Sequence, residues 1–216
     1  MKNTHKLRPL TDVVIVKYDV PHFERETAEF VLKNTTVPYH LSTYDNYPDD
    51  KNLSVAWNDL IRRSDADYIA LVNSDTQVPK FWLKQLLDVL KDNKEVGAVG
   101  PITNLCGTHQ SGFKGPSKNT WAKCQTLSGF CLVFKKSVWE EVGGFDEEYE
   151  LYGEDTDFCE KIKQAGYDLA VHYGVYVYHH GHKSMENLTE TEQKDIEAIR
   201  KRSVKRFREK WPKAKV

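Results

Sequence analysis

Apolar residues in this chain follow two alternating rhythms: short unbroken runs, and longer stretches in which they return every three or four positions. The run DVVIVKY (12–18) is β-branched and predicts a buried strand. HFERETAEFVLKNT (22–35) then carries Phe23, Ala28, Phe30 and Val31 at roughly helical spacing. YHLSTYDN (39–46) predicts a second strand that ends in the polar stretch DNYPDDKN. LSVAWNDLIRRS (53–64) sets Leu53, Ala56, Trp57, Leu60 and Ile61 on one helix face. DYIALVNSD (67–75) is apolar until it breaks abruptly at Asn73-Ser74-Asp75. KFWLKQLLDVLKDN (80–93) is an amphipathic helix with Pro79 just before it, where helix starts favour proline. EVGAVGP (95–101) is a further strand. Strands alternating with helices imply βαβ units and a largely parallel sheet with helices packed on it.

The rhythm lapses over 102–121, a Gly- and Ser-rich stretch that predicts a long loop, and loops of that length are commonly functional. It resumes with LSGFCLVFKKSVWEEVGGFDEEY (127–149), which reads as a strand, a short helix and a Gly143-Gly144 break. A helix over 155–165 closes on Gly166 as its C-cap, and the strand DLAVHYGVYVYHH (168–180) ends in histidines. From Lys194 onward the chain holds ten lysines and arginines against three carboxylates, a net +7. Ile196, Ile199, Val204, Phe207 and Trp211 form a stripe through this tail. Such a basic amphipathic helix either packs its stripe on the domain or docks on an anionic membrane surface.

Composition narrows the class. At 216 residues, 39% hydrophobic and 29% charged, the chain suits one large α/β domain. A net charge of −1 gives no general pull toward nucleic acid. There is no apolar run of about 20 residues and no secretory leader in MKNTHKLRPLTD. Cys106, Cys124, Cys131 and Cys159 lack CxxC spacing and read as small buried apolar residues, so the expected location is a reducing cytoplasm.

Candidate chemistry gathers where strands end, since open α/β sheets bind ligands beyond the carboxyl ends of their strands. Asp45-Asn46, Asn73-Ser74-Asp75, Glu154-Asp155 and the group His179, His180 and His182 all fall at such places. Asp75, just past a buried strand, suits a hard divalent cation, or else it completes a simple turn. Histidine would add a nitrogen ligand. Glu154, Asp155 and Asp157 crowd three carboxylates into the start of a helix, either because a helix dipole favours them there or because they bind metal or act as a base.

The succession VVIVKY, YDN, LVNSDTQVPKFWL, VGAVGP, SGFCLVFKKSVWEEVGGFDEEYELYGEDTDFCEKIKQAGYDL and VYVYHHGHKS resembles the family 2 glycosyltransferases of the GT-A fold, in particular rhamnosyltransferase-like members. The resemblance spans roughly residues 12 to 184 and is most specific from Gly129 to Gly166. It implies an α/β fold with a mixed, mostly parallel central sheet flanked by helices. It also implies an inverting transfer from a UDP-, dTDP- or GDP-sugar to a saccharide or lipid-linked saccharide acceptor, assisted by Mn2+ or Mg2+. By that likeness Asp75 is a metal ligand, with His179 the late histidine and His182 in reserve. Asp45 contacts the nucleotide base, next to Tyr18. Lys17 stands where the family usually has Thr. Ser74 lines the nucleotide site, and Asn73, in the first Asp position of a D-x-D-type motif, contacts ribose. Asp155 is the catalytic base, and Glu154 and Asp157 orient the acceptor or cap the helix.

The implied organisation is one catalytic domain over 1–184 and a basic helical extension over 185–216, the latter suited to peripheral membrane contact. The competing expectation is a sugar-nucleotide or glycan-binding module without catalysis, for which Asn73 is the motive. A nucleotidyltransferase would need a Gly- and Arg-rich phosphate loop after the first strand, and KYDVPHFER supplies none.

Overall fold

The computed structural model describes residues 10–17, 21–46, 52–108, 110–111, 120–181 and 190–214. Among these, the elements run β1 (Thr11–Lys17), α1 (Pro21–Asn34), β2 (His40–Asp45), α2 (Leu53–Arg63), β3 (Tyr68–Val72), β4 (Thr76–Gln77), α3 (Trp82–Asp92) and β5 (Val96–Thr103). They continue with β6 (Trp121–Cys124), β7 (Cys131–Lys135), α4 (Lys136–Glu141), α5 (Glu154–Gln164), β8 (Asp168–His179) and α6 (Glu190–Lys210). The apolar rhythm foretells all but two of these. β4 and β6 are two and four residues long, too short for any period to register.

The strands form one sheet in the order β2-β1-β3-β7-β5-β8-β4, with β6 also paired to β8. β1 lies parallel to β2 and β3, and β5 parallel to β8, while β7 pairs antiparallel with both β3 and β5. Five strands therefore point one way, and the α/β architecture with a mixed, mostly parallel sheet is as expected. The reversed β7 has a positional consequence: Cys131, its first residue, lies opposite Val72, the last of β3. The segment entering β7 thus reaches the edge where the parallel strands finish.

Both sheet faces are covered, which is why β1 and β3 read as unbroken apolar runs rather than alternating ones. Val13 and Ile15 point to one side, with Ala70, Val72 and Val133, under Val31 of α1 and Trp82, Leu83, Leu86, Leu87 and Leu90 of α3. Val14 and Val16 point to the other, with Ile69, Leu71, Leu132 and Phe134, under α2, α4 and α5 through Trp57, Ile61, Trp139, Phe158 and Ile162. Each large side chain buried in this way contributes about 1.5–3 kcal/mol.

Two local features differ from the pattern. Helix α3 starts at Trp82 rather than beside Pro79, because Phe81 is left-handed at φ 64° and breaks the turn. Asn58, which the periodicity leaves unmarked, is buried on α2 and bonded to the loop after α4. Its Oδ1 accepts from the Phe145 amide (3.0 Å) and the Trp139 indole (3.2 Å), and its Nδ2 donates to the Phe145 carbonyl (2.9 Å) and to Glu147 (2.8 Å). Gly144, at φ 73°, is required beneath it, since a Cβ there would lie 2.9 Å from Asn58 Oδ1.

Candidate active site

At one end of the sheet edge stands a carboxylate–imidazole pair. Asp75 follows β3 in a turn that is pinned from two directions. Its neighbour Thr76 exchanges bonds with the Thr27 hydroxyl of α1 (2.8 and 3.0 Å) and donates its own hydroxyl to the Asn73 carbonyl (2.8 Å). The Asn73 amide donates to the Phe130 carbonyl at 2.9 Å, tying the turn to the segment that enters β7. The segment is therefore a turn and also a mount for Asp75.

His179 closes β8 opposite Thr76, and its Nε2 lies 3.2 Å from Asp75 Oδ1. Its Nδ1 lies 3.1 Å from the Leu105 carbonyl, an oxygen that only accepts, so Nδ1 carries a proton, and Nε2 donates to Asp75 when the ring is an imidazolium and offers its lone pair when the ring is neutral. Asn104 grips the same residue twice, accepting from its amide (2.8 Å) and donating to its carbonyl (2.9 Å), and the Phe130 ring stacks on the imidazole. Burial alone would push Asp75 up and His179 down. The bond and charge between them win, holding Asp75 below the ordinary carboxylate value and His179 above the ordinary imidazole value.

The other two histidines part company with this pair. His180 turns toward Glu26 (3.3 Å) and Gln77 (3.2 Å), on the far side of the strand, and His182 lies outside the described residues. Asp75 and His179 suit a divalent cation: one carboxylate oxygen and one imidazole nitrogen whose tautomer is set by a backbone carbonyl. Among the described residues, no set of three or more His, Cys, Asp and Glu side chains gathers as a metal cage. An ion held here would take its remaining ligands from substrate and water oxygens, as magnesium and manganese commonly do.

On the opposite side of the β7 entry lies the acidic cluster. α5 opens with Glu154, Asp155 and Asp157 in its first turn, behind Gly153 at φ 96°, where a Cβ would meet the Tyr149 ring at 2.9 Å. The three carboxylates meet three different fates, which is how the fold tolerates their proximity. Asp155 Oδ2 accepts from the Gly129 amide at 2.8 Å, and Oδ1 accepts from the Thr156 amide at 2.6 Å and its hydroxyl at 3.2 Å. Burial raises its carboxyl above the ordinary value in spite of those donors. Glu154 is buried with Oε2 lacking any partner, and burial, reinforced by the Asp155 charge, pushes it to about 8. Three donors meet the Asp155 carboxylate and none meets Glu154 Oε2, so the arrangement favours the negative charge on Asp155 and the proton on Glu154. Asp157 is wholly buried and is met by Lys210 (2.7 Å) and the Trp211 indole (2.8 Å) from the chain's last helix.

Asp45, at the end of β2, pairs with Lys17 at the end of β1 (3.3 Å) and stays largely exposed, at the sheet edge beyond β3. Asn73 and Ser74 sit in the Asp75 turn, and Tyr18 lies outside the described residues.

The site also depends on residues that sequence reasoning passed over. Gln110, inside the stretch read as featureless loop, is buried. Its Nδ-equivalent amide, Nε2, donates to the Pro101 carbonyl (2.7 Å), while Oε1 accepts from the Ser128 amide (2.7 Å). That fixes Ser128-Gly129, the stretch that holds Asp155. A buried amide in a Gly- and Ser-rich segment has no periodic signature, so only Gly100 offered a hint. A Cβ there would collide with the Gln110 side chain at 2.5 Å.

Known proteins resemble this chain in sequence and in fold. The family model described as Glycosyl transferase family 2 matches residues 27–143, and that for the N-terminal domain of galactosyltransferase matches residues 116–183. O-antigen biosynthesis protein RfbC of Myxococcus xanthus is 21% identical over 209 residues, covering 81% of this chain and 16% of that protein. N-acetylglucosaminyl-diphospho-decaprenol L-rhamnosyltransferase of Mycobacterium tuberculosis is 26% identical over 144 residues, covering 53% of this chain and 47% of its own. The chain thus spans less than half the length of either relative. GalNAc-T7, solved with UDP, GalNAc and Mn2+, superposes with a TM-score of 0.63 at 12% identity, over 81% of this chain and 44% of that one. Mannosyltransferase PcManGT from Pyrobaculum calidifontis, solved with GDP-Man and Mn2+, gives 0.59 at 16% identity, over 80% and 57%. The likeness to these structures shows the GT-A fold.

Proposed function

This chain belongs to glycosyl transferase family 2, and from that premise we propose that it moves a sugar from a nucleoside-diphosphate sugar to an acceptor hydroxyl, with inversion at the anomeric carbon. One observation carries the reading. The Asp75–His179 pair and the Asp155 carboxylate flank the same short segment, Gly129-Phe130, which contacts both. A donor diphosphate held on one side and an acceptor hydroxyl on the other would meet across it.

In this reading Asp75 and His179 are the side chains that would hold Mn2+ or Mg2+, as the manganese complexes of the two structural neighbours support. The bound ion supplies positive charge that stabilises the departing diphosphate. Asp45 takes the nucleotide base beside Lys17, and Asn73 and Ser74 approach the ribose. Asp155 Oδ2, with one amide donor, retains a lone pair and accepts the proton of the acceptor hydroxyl as its oxygen attacks opposite the leaving group. A raised carboxyl is suited to that task, because its carboxylate is a stronger base than an ordinary aspartate. Glu154, protonated beside it, avoids a second negative charge at the point of attack.

The donor is a UDP-, dTDP- or GDP-sugar, and the acceptor a saccharide or lipid-linked saccharide, the latter supported by the decaprenol-linked substrate in a relative's name. The catalytic domain comprises residues 1–184, with 185–216 an extension that carries α6. No helix among the described residues is long and apolar enough to cross a membrane. Any contact with an anionic bilayer would fall to the outward cations Arg200, Lys201 and Arg208 of α6.

Calorimetry with UDP-, dTDP- and GDP-sugars, with and without Mn2+, tests the reading. Metal-dependent binding of one nucleotide class, abolished in Asp75→Ala, is expected. Absence of nucleotide binding under every metal condition would overturn it, and binding without turnover would favour the non-catalytic module.

A further inference from the structure

The C-terminal helix touches the rest of the chain in a particular place. Arg202, Ser203, Arg206 and Lys210 recur about once per turn along one face of α6, with Trp211 directly after it, and each reaches residues 146–157. Arg202 forks onto Glu150 through Nε (3.0 Å) and Nη2 (2.8 Å). The Ser203 hydroxyl donates to the Leu151 carbonyl at 2.8 Å. Arg206 bridges Asp146 (2.8 Å) and Glu148, and lies over the Tyr149 ring at 5.4 Å. Lys210 joins Asp146 (2.7 Å) to Asp157 (2.7 Å), where the Trp211 indole also donates. The Tyr149 hydroxyl (3.4 Å) and Lys161 (3.6 Å) complete the surroundings of Asp157.

The gripped segment is a strained one. Tyr152 is a non-glycine residue at φ 64°, and Gly153 follows at φ 96°, so two successive left-handed residues deliver the chain into α5. Such conformations cost of order 1–3 kcal/mol for a non-glycine residue and persist only where surrounding contacts over-determine them. α6 supplies those contacts on both sides of the bend: Glu150 and Leu151 before it, Asp157 after it. Asp155 stands between the bend and Asp157.

We propose that α6 is a splint for the acceptor-side base, with Lys210 and Trp211 as positioning residues that act on Asp155 through Asp157. The inference rests on Asp155 being the base. The remote cations do not touch substrate. They fix the first turn of α5 from behind, while Gly129 fixes Asp155 from the front. A role of this kind affects the proton-removing step and leaves the Asp75–His179 end alone, because no α6 residue bonds to either of those side chains among the described contacts.

The test uses the full 216-residue chain with Mn2+ and the UDP-, dTDP- or GDP-sugar that wild type turns over, reading nucleoside diphosphate release. Lys210→Met and the milder Trp211→Phe are compared with Lys205→Met, which alters the same helix on its outward side. We expect kcat to fall about ten- to a hundredfold in Lys210→Met, the range that a displacement of about 1 Å produces. The fall in Trp211→Phe is smaller, the donor dissociation constant stays within about twofold, and Lys205→Met matches wild type. Amide hydrogen exchange over residues 150–158 rises in the first two variants, while β5 and β8 keep their protection. An unchanged kcat, a loss of donor affinity in proportion to kcat, or unaltered exchange over 150–158 would each overturn the splint. A wild type inactive with all three donor classes counts instead against the transferase reading itself.

Discussion

Replacing Glu154 by Gln isolates the energetic consequence of burying a second carboxyl beside Asp155. Glu154 is 8% exposed, and its value rises from 4.5 in the free side chain to about 8 in the fold. A carboxyl raised in this way is protonated in the folded chain where the unfolded chain has already released the proton. The associated stability is fully present below 4.5 and is lost as pH climbs toward about 8, after which the loss is complete. At ~1.4 kcal/mol per unit the full span is near 5 kcal/mol, and sharing of charge with Asp155 brings the expectation to roughly 2–5 kcal/mol. Glutamine mimics the protonated acid in shape and cannot ionise. Its stability should therefore match wild type at about pH 4 and exceed it by that amount at about pH 9. For a chain of this size each kcal/mol moves the melting temperature by about 2–4 °C, so a gain of roughly 4–20 °C is expected at the alkaline end. Urea or thermal unfolding across the pH range reads it directly. Parallel stability curves for the two proteins would refute the argument, since they would mean that Glu154 is ionised in the fold at no cost.

Three further outcomes follow from the geometry. Asp155→Asn keeps the size of the side chain but turns one of the two oxygens that accept from Gly129 and Thr156 into a donating NH2, and loses the basic oxygen. Nucleoside diphosphate release should drop about 10²–10⁴-fold with donor binding intact, and the wild-type rate should fall on the acid side at a pH above that of an ordinary aspartate, because burial raises this one. Gly181→Ala combines a left-handed φ of 69° with a Cβ only 2.3 Å from Leu105, whose carbonyl orients His179. Weakening of Mn2+ affinity by about tenfold is expected in calorimetry, consistent with the usual cost of disturbing a ligand's orienting partner. Gln110→Leu strips partners from the Pro101 carbonyl and the Ser128 amide, so denaturant unfolding should register a loss of about 2–4 kcal/mol.

The sequence made the scaffold legible because it is built from repeated burial. Trp82, Leu83, Leu86, Leu87 and Leu90 recur at helical spacing and all lie under α3, and the β-branched runs of β1 and β3 are covered on both faces. Asp75 and Asp155 were legible as strand-end and helix-start carboxylates. The partner of Asp75 was singled out as His179 only through the family resemblance, because three histidines within four residues differ only in which way the end of β8 turns, and pairing of Thr76 with His179 decides that. Gln110, Asn58 and Asn104 were invisible for a common reason. Each is a polar side chain whose value lies in satisfying backbone groups from a distant loop, and no local period records such a bond. The basic tail was read by its composition as a membrane or solvent face. Its inner cations instead meet carboxylates some 50–60 residues away, a match that depends on tertiary proximity alone.

The reversed strand β7 has an implication for anyone seeking to redesign this site. Gly129 and Phe130 are a shared wall: one gives its amide to Asp155, the other its carbonyl to the Asp75 turn and its ring to His179. Under the proposed roles, donor choice and acceptor geometry are therefore not separable modules that can be exchanged one at a time. A library that varies these two positions would shift both preferences together, whereas changes at Asp45 or in α6 would reach only one. Selectivity in this scaffold is best evolved from its outer ends inward, with the wall held fixed until last.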